Sequence, residues 1–104
     1  MARSVETLIR SALSEVEIQM ARAFHQVGDE PEPGSDLDQL GLRDGGSTVE
    51  GYLHHGEWGL ALEHLIYMVR EPHLPISRVA FSQIDEAGRA MGIDPGTWES
   101  LRPA

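Results

Sequence analysis

Cysteine is absent from this chain, lysine is absent too, and aromatic residues make up only 6% of its 104 positions. Each absence closes off a class of function. Without cysteine there is no disulfide, no thiolate nucleophile and no cysteine-based zinc site. No stretch approaches the roughly 20 apolar residues of a membrane-spanning helix, so a membrane partner is not expected. The opening MARSVETLIRSALSEVE has no uninterrupted apolar core of the kind a secretory signal needs, and a cytoplasmic location is expected. Alternating β-branched runs are missing, which argues against strands. So are internal repeats, a Gly-x-Ser-x-Gly elbow, a phosphate-binding loop and a dinucleotide fingerprint. Neither an enzyme nor a cofactor is expected.

What is there is acid. Seventeen Asp and Glu face eight basic residues, all arginine, for a formal net charge of -9. Such a surface repels phosphate backbones, which argues against nucleic acid as a partner. It attracts a basic protein over long range and speeds encounter. Acidity can also serve solubility alone, so its distribution matters more than its total. Six of the acids fall in GDEPEPGSDLDQLGLRDGGS, residues 28–47: Asp29, Glu30, Glu32, Asp36, Asp38 and Asp44, with Arg43 the one base among them. Pro31, Pro33 and the glycines prevent a long helix there. Leu37, Leu40 and Leu42 can anchor its second half. Long connections of this kind are functional surfaces or solvated linkers.

The rest of the chain reads as helices. Over 4–27, Val5, Leu8, Ile9, Ala12, Leu13, Val16, Met20, Ala23, Phe24 and Val27 recur at helical spacing on one side. Ser4 is placed as N-cap, Glu6 and Glu15 lie outside, Glu6 and Arg10 can pair at i,i+4, and Gly28 is the stop. A short second helix is expected from STVEGYL, with Ser47 and Glu50 at capping-box spacing and Gly56 ending it. A third runs from about Glu57 to Arg70, apolar on more than one side: Trp58, Ala61, Leu62, Leu65, Ile66 and Val69 on the main stripe, Leu60 and Tyr67 on another. That pattern marks a central helix. Pro72 and Pro75 end it. Ser77 caps a fourth helix with Val79, Phe81, Ile84, Ala87 and Met91 on its stripe, and Gly92 stops it. Asp94 and Pro95 open a last short helix that folds Trp98 and Leu101 back onto the rest. The expectation is a single all-α domain over 1–104, a compact bundle of four to five helices with an acidic loop after the first.

The densest group of chemically versatile residues is HHGEWGLALEH, residues 54–64. A helical zinc pair needs ligands at i and i+4 on one face. His54 and His55 are adjacent and so point about 100° apart on a helix, and His64 lies beyond the Gly56 break. No metal site is expected, and helix capping accounts for the two histidines. Glu63, in the middle of an apolar helix, reads as half-buried and in need of a partner, with Arg70, Arg78 and Arg89 as candidates; a structural salt bridge is its expected role. Trp58 reads as core and Trp98 as the seal at the end of the chain, although either residue type can anchor an interface.

The ordered features HGEWGLALEHLIYMVREPHLPIS, then AMGID, then WESL resemble the MafI-type family of bacterial immunity proteins. In that family a Gly-Glu-aromatic group opens a helix with an Ala-Leu-Glu-x-Leu core. A loop with proline and Ile-Ser follows, then a helix ending in Met-Gly and a late tryptophan. Here these are Gly56, Glu57, Trp58, Ala61, Leu62, Glu63 and Leu65, then Pro75, Ile76 and Ser77, then Met91, Gly92 and Trp98. The resemblance spans 51–101. It implies a small cytosolic protein that binds and neutralises a cognate toxin, often a nuclease with a basic cleft, and so protects the producing cell. The expected partner-binding residues are Asp29, Glu30, Glu32, Asp36, Asp38 and Asp44, with Tyr52, His54 and His55 beside them. The alternative is a non-enzymatic adaptor or chaperone-like module that binds an apolar helix in a groove.

Overall fold

Capping chemistry sets where two of the helices begin and where all four end. The computed structural model describes residues 3–103. It contains α1 (Val5–Gln26), α2 (Gly45–His54), α3 (Trp58–Arg70) and α4 (Arg78–Ala90), then two 3₁₀ turns, Pro95–Thr97 and Glu99–Leu101. Among the described residues there is no strand, and no helix is long and apolar enough to cross a membrane. Ser4 and Ser77 cap α1 and α4 through their hydroxyl oxygens, each accepting from an amide three residues on, Thr7 and Ala80. Such a cap stabilises a helix by about 1 kcal/mol.

All four helices end in the same way. A residue two or three positions beyond the last helical residue takes a left-handed conformation, and two amides turn back onto the last helical carbonyls. At α2, Gly56 N donates to Leu53 O and Glu57 N to Tyr52 O, at 3.1 and 2.8 Å. Gly28 and Gly92 hold the equivalent position after α1 and α4. After α3 the position belongs to His73, at φ 55°.

Packing follows the apolar stripes. α1 packs chiefly on α4 and α2 chiefly on α3, while α3 also reaches α1. Leu62, Leu65 and Ile66 of α3 meet Leu8, Ile9, Leu13 and Val16 of α1 in one continuous core, while Leu60, expected on a second apolar side, is exposed. Among the described residues the one buried polar side chain is Gln83 of α4, and its amide donates to Ser11 Oγ of α1 at 2.7 Å. Glu15 is half-buried rather than outside: its carboxylate accepts from both the amide and the hydroxyl of Ser77, tying the start of α4 to α1.

Several expectations need correcting. α2 begins at Gly45, so Ser47 is inside the helix and is not its cap; Asp44 holds the cap position without a side-chain bond. Glu50 pairs with Arg10 of α1, which also holds Glu6 at 3.1 Å. Gly45 and Gly46 are buried helix residues. A Cβ at Gly45 would stand 2.7 Å from Met68 Sδ, and one at Gly46 would overlap the Glu17 carboxylate, so these glycines let α2 approach its neighbours. Trp58 is 41% exposed and Val79 66%, and Val27 is also exposed. Each sits at a helix end, where the stripe runs past the elements it packs on. Glu63 is exposed and makes no ion pair among the described residues. Arg70 donates instead to the Thr97 carbonyl, and Arg89 pairs with Asp85 at 3.0 Å.

The last segment seals the bundle as expected, through two 3₁₀ turns rather than one helix. Trp98 is fully buried against Gly88, where a Cβ would overlap the indole ring. Its Nε1–H donates to Asp85 Oδ1 at 2.9 Å. That bond is the main reason the Asp85 carboxyl is held below its ordinary value of 3.8; partial burial opposes it and Arg89 adds to it.

Candidate partner-binding surface

The connection between α1 and α2, residues 27–44, contains no helix, yet the bundle fastens it at several points. Arg43 is the clasp. Its guanidinium lies over the Phe24 ring, 4.3 Å from the centroid, and donates to the Asp29 carbonyl at 2.5 Å. One side chain thereby joins the end of α1 to the start of α2 and holds the two ends of the connection together. Further along, two side chains of α3 reach up to the backbone. Tyr67 Oη donates to the Leu40 carbonyl at 2.6 Å. His64 Nε2 lies 3.0 Å from the Gly41 carbonyl; since a carbonyl only accepts, that nitrogen carries the proton. Gly41 turns the chain at φ 83°, and Leu42 beyond it is fully buried. Leu37 is partly buried.

Leu40 does not anchor, contrary to expectation: it is 94% exposed. The turn that Tyr67 and His64 hold from below points it outward. The anchoring expected of three leucines is therefore divided between two leucines and two α3 side chains. The sequence signal for the latter was present in His64 and Tyr67, at i,i+3 on the side of α3 away from the core stripe.

Asp29, Glu30, Glu32, Asp36, Asp38 and Asp44 are all exposed. None takes part in an ion pair among the described residues, whereas Glu6, Glu50, Asp85, Glu86 and Glu99 each meet an arginine. Asp38 Oδ2 accepts from Gly34 N at 2.8 Å, which closes a small turn within the connection. The arginines thus compensate acids on the helices and leave those of the connection uncompensated. Arg43 sits there but spends its guanidinium on a ring and a carbonyl.

The three residues expected beside these acids separate. Tyr52 is half-buried and lines a cleft of about 180 Å³ with Leu60, Glu63, His64 and Tyr67, so it shares neighbours with the Leu40 turn. His54 and His55 are exposed at the far end of α2, about 15 Å along the helix from Asp44 at 1.5 Å per residue. Their rings meet edge-on at 5.4 Å, and His55 Nδ1 lies 2.9 Å from the Gly51 carbonyl, which makes it a C-terminal helix donor. Among the described residues no three His, Asp or Glu side chains converge as metal ligands would. Of the other residues singled out, Ala61, Leu62 and Leu65 are core, Gly56 and Glu57 form the turn into α3, and Trp58 and Glu63 face solvent.

Comparison with protein-family models, with curated proteins and with solved structures returned no match for this chain.

Proposed function

We propose that this chain is an immunity-type protein. It binds a basic toxin, for which a nuclease is the natural candidate, and neutralises it without chemistry of its own. One observation carries the reading: six exposed acids, without ion pairs among the described residues, stand on a single connection whose ends and turn are fastened by Arg43, Tyr67 and His64. Uncompensated charge on a fastened scaffold attracts a basic cleft from a distance and loses little conformational freedom on contact. The resemblance of segment 51–101 to the MafI-type family supports the same reading. In it, Ala61, Leu62 and Leu65 build the scaffold, and the acidic connection meets the toxin.

A second reading, an adaptor for an apolar helix, draws on different residues. Leu40 and Leu60, exposed by 94% and 44%, flank the side of α3 that carries Tyr67. Salt separates the two readings: binding led by the acids weakens as salt rises, and binding led by the leucines changes little. The deciding experiment isolates the protein that co-purifies with this chain from its source cell and expresses it with and without the chain. Growth arrest relieved by co-expression supports immunity. A partner that causes no arrest, or an arrest that the chain does not relieve, rejects it.

A further inference from the structure

A cleft of about 590 Å³ lies away from the acidic connection, between the end of α3, the 71–77 linker and the C-terminal turn. Its volume falls in the range of about 300–1,000 Å³ usual for small-molecule sites. Leu74, Ile76 and Leu101 supply apolar walls, and Arg70, His73 and Arg102 stand around them. Among the described residues no carboxylate lines it. Four further clefts each include at least one: Glu17 and Asp29 in the first, then Asp38, Glu63 and Glu57. In a protein with seventeen acids and eight arginines, a cleft with two arginines and no acid is the reverse of the surface around it.

The charge count points to the ligand. Arg102 is already neutralised: its Nε donates to Glu99 at 2.7 Å, and its guanidinium lies 4.6 Å from the Phe81 ring centre. Arg70 meets only the neutral carbonyl of Thr97 and has no acid partner among the described residues. Among the described residues that leaves one uncompensated guanidinium with N–H groups to spare, beside an apolar wall. A dianion such as phosphate would find too little positive charge there. A planar monoanion matches the guanidinium fork.

We propose that this cleft binds small amphipathic monocarboxylates, with the carboxylate on Arg70 and the apolar tail against Leu74, Ile76 and Leu101. Two sources share this chemistry, a short fatty acid and the C-terminus of an apolar peptide.

The test is an NMR titration of the full chain, following its amides and methyl groups, with sodium octanoate in one arm and N-acetyl-leucine in the other. Saturable shifts centred on residues 69–76 and 100–103 are expected, stronger with octanoate if fatty acids are the source and with N-acetyl-leucine if peptide ends are. Octanol has the same tail without the charge and is expected to bind at least about tenfold more weakly, as loss of a charge-assisted pair requires. Inorganic phosphate is expected to leave these residues unmoved. Arg70→Gln is expected to lower octanoate affinity by a similar factor while the methyl spectrum stays native. Octanol binding as tightly as octanoate, or shifts that do not saturate or scatter over the surface, would overturn the proposal. The octanol comparison uses the unaltered protein, so it decides even if the variant misfolds.

Discussion

Single side chains decide much of this structure. Gly88 and Gly51 are both helical glycines, and only the surroundings tell them apart. A Cβ at Gly88 would overlap the Trp98 ring, whereas one at Gly51 meets nothing within 4 Å. Gly88→Ala gains about 1 kcal/mol of helix propensity but must displace a rigid, fully buried indole, an overpacking cost of about 1–3 kcal/mol. Net destabilisation is expected, with altered Trp98 fluorescence. Gly51→Ala is expected to stabilise by about 0.5–1 kcal/mol. Urea melts of the two variants check both signs.

Asp85 links that indole to pH. Its carboxyl is held below 3.8 in the folded chain, first by the Trp98 N–H and then by Arg89. A depressed carboxyl stabilises the fold fully well above its unfolded value and loses that contribution as pH falls through the folded value. Stability is therefore expected to drop as pH falls below about 3.8, with a change in Trp98 emission. Asp85→Asn is expected to lose about 1–2 kcal/mol at neutral pH, in keeping with a hydrogen bond to a charged group. It should also flatten the acid limb of a stability-versus-pH curve; an unchanged limb would assign the acid sensitivity to other carboxylates.

At the scale of elements, the helix ends obey one rule with one exception. The left-handed position after α3 holds His73 where the other three helices use glycine. A side chain there costs about 1–2 kcal/mol relative to glycine. His73→Gly is expected to raise stability by about 1 kcal/mol, read as a higher denaturation midpoint. The connection between α1 and α2 behaves as an element too, because α3 supports it. Tyr67→Phe removes the bond to the Leu40 carbonyl at a cost of about 0.5–1.5 kcal/mol. Faster amide exchange at residues 38–42 is expected, with the helices unchanged.

At the scale of the whole molecule, charge is divided unevenly. Five acids on the helices and the C-terminal turn hold arginines, while the six of the connection hold none among the described residues. Changing those six to Asn or Gln leaves eleven acids against eight arginines, so the formal net charge falls from -9 to -3. No ion pair among the described residues is lost and self-repulsion is relieved. The denaturation midpoint is expected to hold or rise slightly, while association with a basic partner slows and loses its salt dependence. A variant that associates as before would remove these acids from recognition.

Helix number, order and limits were largely legible in the residues, because caps, stop signals and apolar spacing act within a few positions of the chain. Ser4, Ser77, Gly28, Gly56 and Gly92 do locally what their types predict. What failed was α2's start, because a glycine pair reads as loop until its close packing against Met68 and Glu17 is known. Glu63 was misread for a similar reason: only the placement of its neighbours shows that this side of α3 is open.

The sequence by itself determined an all-helical chain, its strong acidity and the concentration of acid between the first two helices, since these depend on composition and local spacing. Only the tertiary structure decided which tryptophan is buried, which acids meet an arginine and what holds Leu40 in the open. Those outcomes depend on residues far apart in the chain: Trp98 on Gly88 and Asp85, Arg10 on Glu50, the Leu40 turn on Tyr67 and His64. Burial and pairing are properties of two surfaces in contact, and one segment carries only its half.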